Sequence, residues 1–264
     1  MIWLEGYGLK SPAGIGLSIA YMFMPATMAV VTQKAVLKSP LRGSLGLRLR
    51  PNRWFLVAWL LPALLILATW LAGLLVPGVG LVLGRAEMIA HITPPNASPE
   101  ALRSLVPVHP LLIIFLKGLF AGGTINLLAA LGEEVGWRGF LLRELGFLGF
   151  RRASLTIGVV WGLWHAPLIL QGLNYPQHPV AGVFMMVAMT TLATPLMVRL
   201  RLKSGSVLAP ALFHGVVNAF YDLPRILSTG GSDLVLGLGG GAGLAVLAVI
   251  CALSLWPRGC QSTL

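Results

Sequence analysis

The chain of 264 residues is strongly apolar and basic: 56% of it is hydrophobic, only 10% is charged, and its formal net charge is +11. A mean hydropathy of +0.84 excludes an ordinary soluble globular domain and indicates a polytopic membrane protein. The charge does not indicate a nucleic-acid partner, because the basic residues are spread over short connections and no soluble domain remains to bind a duplex. We therefore predict an all-α transmembrane helix bundle in the cell (plasma or inner) membrane, with the lipid bilayer as its partner and no nucleic acid.

The apolar segments predict about seven membrane spans. A span needs about 20 apolar residues, and five stretches contain no Asp, Glu, Lys or Arg: residues 11–33, 54–84, 153–198, 204–221 and 234–257. A polar interruption with two prolines, residues 171–179, divides the third stretch into spans at 154–170 and 180–198. A further span is predicted at 118–142, because this placement keeps Lys117 at the outer interface instead of at mid-membrane, where a charge is costly.

The distribution of basic residues predicts the orientation of these spans. Lys and Arg are enriched in cytosolic connections, and fourteen of the nineteen lie in connections that alternate with acidic or uncharged ones: Lys34, Lys38, Arg42, Arg48, Arg50, Arg53, Arg138, Arg143, Arg151, Arg152, Arg199, Arg201, Lys203 and Arg258. We predict an amino terminus outside, a carboxyl terminus in the cytosol and an irregular outer loop at 85–109. The first span lacks a basic leader, so we expect it to remain as an anchor. Cys251 and Cys260 form no disulfide framework or metal-thiolate motif.

Two adjacent acids, Glu133 and Glu134, lie within the span predicted at 118–142. Carboxylates at membrane depth are costly, and they commonly mark functional sites. Helical i,i+4 spacing places Arg138 beside Glu134, whereas the i+4 neighbour of Glu133 is Trp137. A purely structural role, in which arginines neutralise both acids and pin a helix, explains Glu134 better than Glu133. We therefore predict that Glu133 is the stronger candidate for a functional site and that Glu134 pairs with Arg138.

Three further polar residues, His165, His214 and Asn218, lie on predicted spans at a similar depth. A single histidine in such a place is more often a hydrogen-bonded packing residue than a functional one. His214 and Asn218 are spaced i,i+4 and therefore project from one helix face. Two histidines, an amide and the Glu133 carboxylate at one depth are difficult to explain by packing alone.

These groups suit hydrolysis by an activated water molecule. Glu133 can take a proton from water as a general base, and a nearby histidine can orient that water or protonate a leaving amine. The second histidine and the amide can stabilise an oxyanion. Alternatively, Glu133, His165 and His214 can hold a catalytic Zn²⁺ ion with an open position for water. The sequence leaves both versions open; we favour the metal-free one, since the three side chains can fill the hydrolytic roles without an ion.

At this point the chain resembles the CPBP (Abi) family of intramembrane endopeptidases, which includes the CAAX prenyl proteases. Residues 133–138 (EEVGWR), 161–165 (WGLWH) and 214–218 (HGVVN) match its EExxxR, xxxH and HxxxN/B motifs in order. The resemblance covers about residues 127–220 and implies a CAAX-protease-like bundle whose cavity opens to the cytosolic leaflet. Metal dependence within the family is debated.

The resemblance also implies roles for the motif residues. Glu133 matches the family's water-activating base and His165 its partner, while His214 and Asn218 match the oxyanion site. The Glu134–Arg138 pair matches the supporting residues. The implied activity is cleavage of a membrane-anchored peptide or protein.

The resemblance divides the chain into three regions. Residues 1–110 hold amino-terminal transmembrane helices and the outer loop, residues 111–222 the CPBP-like catalytic core, and residues 223–264 a last transmembrane helix with a cytosolic tail. Two other functions stay open: a proton-coupled transporter or channel that uses the same Glu and His groups as a relay, and a catalytically silent scaffold or immunity protein.

Overall fold

A computed structural model describes residues 12–41, 43–93, 98 and 108–255. Helices make up almost all of the regular structure within these ranges, in agreement with the predicted all-α class. The first residues of the chain, most of the predicted outer loop, and the predicted cytosolic tail with Cys260 lie outside the described residues.

The helices are numbered here in chain order. Their bounds are α1 Pro12–Val31, α2 Arg53–Gly73, α3 Arg85–Ile92, α4 Pro110–Gly123, α5 Ile125–Glu134, α6 Leu142–Glu144, α7 Gly149–Trp164, α8 Ala166–Ile169, α9 Pro179–Ser204, α10 Leu208–Phe220, α11 Leu223–Ile226 and α12 Gly241–Leu255. Two π-helical segments, Thr32–Val36 and Val135–Leu141, follow α1 and α5, and a 3-10 turn, Gly146–Leu148, precedes α7. The short strands β1 Gly80–Leu81 and β2 Ser228–Thr229 pair antiparallel.

Several described helices are apolar enough to identify an integral membrane protein. Three pass a length and composition test for a membrane span: Gly16–Val36, α2 and α9. A fourth span results if Pro110–Gly123 and Ile125–Glu144 are counted together. At the other predicted spans, the helices α7, α10 and α12 have 16, 13 and 15 residues and are shorter than the 18 residues that the test requires. The count of seven spans therefore stays a prediction.

The third span differs from the one predicted at 118–142. It begins earlier, at Pro110, so Lys117 lies inside a helix on an exposed face and not at its outer end. It is also broken at Thr124, whose backbone leaves the helical region (φ −126°, ψ −94°), and the helix axis bends by 45° there. Hydropathy located the apolar segment, but it carries no information about a bend.

At the bend, α10 lies very close to the backbone of the junction between α4 and α5. A side-chain carbon on Gly215 would lie 2.6 Å from the carbonyl oxygen of Gly122, and one on Gly122 would lie 2.7 Å from Cα of Val216. Such distances are too short for any residue but glycine. The contact fixes α10, and with it His214, against the junction of α4 and α5.

The predicted irregular loop at 85–109 instead begins with the helix α3. Met88 and Ile89 on this helix are buried, and Met88 lies in a small core cluster with Trp70 and Leu227. This apolar contact outweighs the Gly and Pro residues nearby in the sequence, which favoured a loop.

Helix α5 lies at the centre of the region that carries the predicted site. It packs against α1 on one side and α10 on another. Helix α7 packs along α9, where Gly158 and Gly162 bring its backbone against Thr191 and Val187. These contacts bring together groups that lie up to 81 positions apart in the sequence, since Glu133 and His214 are on α5 and α10.

Candidate active site

Glu133 lies in the last turn of α5, and only 2% of its surface is exposed. Its Oε2 accepts a hydrogen bond from the indole Nε1 of Trp161 on α7, at 2.7 Å. A buried carboxylate must be hydrogen-bonded or neutralised to offset its desolvation. The indole supplies one such bond and leaves the second carboxylate oxygen, Oε1, to other partners.

Glu134 and Arg138 form the ion pair that their spacing predicts. Arg138 Nη1 lies 2.9 Å from Glu134 Oε1, and both side chains are 0% exposed. Arg138 Nη2 donates to the hydroxyl of Thr194 on α9 at 2.9 Å. Its guanidinium carbon lies 4.3 Å from the ring centroid of Trp161, within cation–π distance. Arg138 therefore links the segment that carries Glu134 to both α7 and α9.

His214 contacts Glu134 and not Glu133. Its Nδ1 lies 3.0 Å from Glu134 Oε1, the same oxygen that accepts from Arg138. Because an ionised carboxylate can only accept, Nδ1 carries the proton of this bond. Sequence reasoning missed this contact, because a contact 80 positions apart depends on how α10 packs on α5.

His165 lies where the helix that contains it is interrupted. Its backbone N–H donates to Gly162, and its side-chain Nδ1 lies 2.8 Å from the carbonyl oxygen of Trp161. A carbonyl has no proton to give, so Nδ1 is the donor and Nε2 of the neutral ring is an acceptor. The break before Pro167 thereby fixes the tautomer of a residue predicted to be catalytic.

The break also exposes the carbonyl of Trp164. In a continuous helix this oxygen would accept from the N–H of Leu168, but that N–H donates to His165. The hydroxyl of Tyr21 on α1 donates to the Trp164 oxygen at 2.5 Å, and the two rings stack at 4.3 Å. Helix α1, where the sequence shows no catalytic motif, thus contributes to this region.

Aromatic rings surround the two histidines. The Trp161 ring centroid lies 5.7 Å from that of His165 and 5.3 Å from that of His214. Trp164 meets His165 edge-on at 4.9 Å and Trp137 at 5.9 Å. These contacts limit the ring orientations available to both histidines, of which His214 is buried and His165 is partly buried.

Asn218 differs from the other predicted site residues. It follows His214 by one turn on α10 but is exposed, and within the described part of the chain no hydrogen bond involves its side chain. The structure brings Glu133, Glu134, Arg138 and His214 into one buried group through Trp161, and it leaves Asn218 at the edge. An exposed amide is free to meet a bound molecule.

The described residues contain no group of three or more His, Cys, Asp or Glu side chains placed to hold a metal ion. Glu133, His165 and His214 therefore do not fit a three-ligand zinc site as they stand here. The hydrogen bonds at Glu133 Oε2 and at both Nδ1 atoms leave Glu133 Oε1 and both Nε2 atoms available, and a histidine ligand commonly donates its other ring N–H in this way.

Comparisons with known proteins match the region that contains the predicted site residues. Residues 110–220 match the family model described as type II CAAX prenyl endopeptidase Rce1-like. The protein named CAAX prenyl protease 2 from Methanococcus maripaludis is 44% identical over 50 residues, which is 19% of this chain and 18% of that relative. The chain thus matches less than a fifth of that relative's length. All six predicted site residues lie within the family match, and neither comparison favours a transporter.

Proposed function

We propose that the chain is an intramembrane endopeptidase of the CPBP family, because its residues 110–220 match the Rce1-like family model and one segment is similar to a CAAX prenyl protease. Its substrate would be a membrane-anchored peptide or protein, prenylated or bacteriocin-type, cleaved near the cytosolic leaflet of the cell membrane. One observation carries the proposal: a buried carboxylate, Glu133, is oriented by Trp161, whose ring contacts both histidines.

In the proposed mechanism Glu133 acts as the general base. It takes a proton from a water molecule whose other hydrogen is held by Nε2 of His165, and the hydroxide oxygen bonds to the carbonyl carbon of the scissile peptide. The carbonyl π bond breaks, and its electron pair moves to the oxygen. Confinement of the water beside the base supplies part of the rate, because a bimolecular step becomes an intramolecular one.

His214 and Asn218 would stabilise the oxyanion that forms. The imidazolium form of His214 donates from both ring nitrogens, with Nδ1 held by Glu134, so Nε2 can donate to the oxyanion. The Asn218 amide adds a second donor. When the C–N bond breaks, the electron pair on the oxyanion re-forms the carbonyl bond, and Glu133 gives its proton to the leaving nitrogen. The hydroxyl proton of the new acid passes to Nε2 of His165, so the products are a carboxylate-terminated peptide and an amine.

A cleavage assay with a charge-removing variant tests this proposal. The protein in detergent is mixed with a panel of membrane-anchored peptides, with and without lipid modification, and products are identified by mass spectrometry. Glu133→Gln keeps an oxygen that can accept from Trp161, so we expect a folded protein with no detectable cleavage. Glu87→Gln, at an exposed acid on α3, is the matched control and should cleave like the unchanged protein.

Two results would contradict the proposal. One is near-normal turnover by Glu133→Gln. The other is the lack of any cleavage by the unchanged protein across the panel, in detergent and after reconstitution into lipid vesicles.

A further inference from the structure

We propose that Trp161 is a positioning residue, which holds the Glu133 carboxylate in the orientation that activates water. This inference rests on the proposed function and adds a residue to its machinery. The resemblance to known motifs assigns no role to this side chain.

The first step is the bond itself. Trp161 Nε1 lies 2.7 Å from Glu133 Oε2, between two side chains that are 5% and 2% exposed. The indole N–H has no acceptor function, so the bond has only one direction. It occupies one carboxylate oxygen and thereby leaves Oε1 as the atom that receives the proton.

The second step is that the indole cannot turn away from this bond. The Arg138 guanidinium lies 4.3 Å over the Trp161 ring, and the ring centroids of His165 and His214 lie 5.7 and 5.3 Å from its centroid. The backbone next to Trp161 is held as well, because Gly158 brings α7 into contact with α9. A side chain with two torsions, packed on several sides, keeps its orientation at little further entropic cost.

The third step separates this role from ordinary packing. Trp70 is 8% exposed, a burial close to that of Trp161, and its Nε1 has no hydrogen-bond partner among the described residues. Trp137 Nε1 is also buried and without a partner in that part of the chain. The fold therefore tolerates buried indole N–H groups without partners. The bond at Trp161 is a specific feature, directed at the one carboxylate predicted to act as the base.

The Trp161 carbonyl adds a connection to His165. It accepts from His165 Nδ1 at 2.8 Å, so one residue orients the base through its side chain and the partner histidine through its backbone. A substitution of the side chain removes only the first of these contacts. This makes the two contributions separable by experiment.

Trp161→Phe tests the inference, because phenylalanine keeps an aromatic ring against Arg138 and the histidines but has no N–H. Loss of a hydrogen bond to a charged group predicts a decrease in kcat of about 10- to 100-fold. KM should stay within about twofold, because the bond serves the chemical step and not substrate binding. Trp70→Phe, the matched control, should keep both constants.

A spectroscopic measurement on the same proteins is independent of activity. Ultraviolet resonance Raman spectra contain an indole band that reports hydrogen bonding at N–H. Both variants are made in a Trp59→Phe background, because the Trp59 N–H also donates a hydrogen bond, to the carbonyl oxygen of Leu119 at 3.1 Å. In that background the strongly hydrogen-bonded component should disappear in Trp161→Phe and persist in Trp70→Phe.

The outcomes distinguish this inference from the proposed function. If the unchanged protein cleaves and Trp161→Phe cleaves with the same kcat, the inference about Trp161 is wrong and the proposed function still holds. The inference is also overturned if Trp161→Phe and Trp70→Phe lose kcat and thermal stability equally, or if the strongly hydrogen-bonded indole component survives in Trp161→Phe. An unchanged protein that cleaves nothing overturns the proposed function, whatever the Raman spectra show.

Discussion

Glu134 Oε1 lies 3.0 Å from Nδ1 of His214 and accepts from Arg138 at 2.9 Å as well. This one oxygen therefore contacts both the Arg138 guanidinium, four residues along the same segment, and the His214 imidazole on α10. The second oxygen, Oε2, is buried and has no hydrogen-bond partner among the described residues. The contact of Glu134 Oε1 with His214 holds α10 against α5, together with the glycine contact beside it.

Glu134→Gln should lower the stability of the protein as well as its activity. The amide oxygen can still accept from His214, but the Arg138 charge loses its counter-ion in a site with no exposure. Removal of one partner from a buried ion pair costs about 3–5 kcal/mol. We expect a clearly lower thermal unfolding temperature in detergent, measured by scanning fluorimetry, together with reduced turnover.

Glu144→Gln is the matched control for that variant. Glu144 pairs with Arg143 at 2.6 Å, and both side chains are about one-third exposed. An exposed pair contributes about 0–1 kcal/mol, so its unfolding temperature should barely change. Equal stability losses in the two variants would argue that Glu134 has no special structural role.

His214→Ala and Asn218→Ala should both lower turnover but differ in stability. Lost oxyanion donors cost about 10- to 1000-fold in kcat. Asn218 is exposed, so its replacement should leave the unfolding temperature unchanged, whereas His214→Ala removes a buried contact to Glu134. Gln171→Ala, at an exposed amide, is the control. Full activity of Asn218→Ala in steady-state assays would exclude that residue from the reaction.

Metal analysis separates the two versions of the chemistry that the sequence left open. If the histidines act by hydrogen bonding, the purified protein should contain little zinc by plasma mass spectrometry, and a chelator should leave cleavage unchanged. If they are zinc ligands, His165→Ala and His214→Ala should lower bound metal, and chelation should abolish cleavage reversibly. We expect the first result. Stoichiometric zinc in an active, unsupplemented preparation would contradict it.

Cysteine labelling tests the predicted orientation. After Cys251 and Cys260 are replaced by alanine, a single cysteine is introduced at an exposed position, Pro176→Cys or Leu49→Cys. The positive-inside rule places the first outside and the second in the cytosol. A membrane-impermeant maleimide should label the first in intact cells and the second only after permeabilisation. The reverse pattern would place the candidate site in the other half of the membrane.

Hydropathy and helical spacing were enough to predict the all-α class and the Glu134–Arg138 pair, since both depend on neighbours in sequence. The bend at Thr124 and the earlier start at Pro110 could not be predicted in this way. The bend coincides with a close contact of α10 at the junction of α4 and α5, which joins residues far apart in the sequence. Helix α3 was likewise missed, because its apolar contacts are with distant residues.

At the candidate site too, features that depend on neighbours in sequence could be predicted and contacts between distant residues could not. The motif residues could be selected from the sequence by polarity and spacing, but their pairing could not. The bond from Trp161 to Glu133 joins residues 28 positions apart, and the contact of His214 with Glu134 joins residues 80 apart. One signal in the sequence pointed to the first contact: Trp161 shares a helix face with His165.

The glycines at the bend have a consequence for how the protein responds to its surroundings. Side chains repack when the thickness or lateral pressure of a bilayer changes, but two backbones in direct contact have almost no freedom to do so. Gly215 immediately follows His214, so the ring is attached to a part of α10 that is held by direct backbone contact. The geometry around Glu134 should therefore be nearly the same in thin and thick membranes.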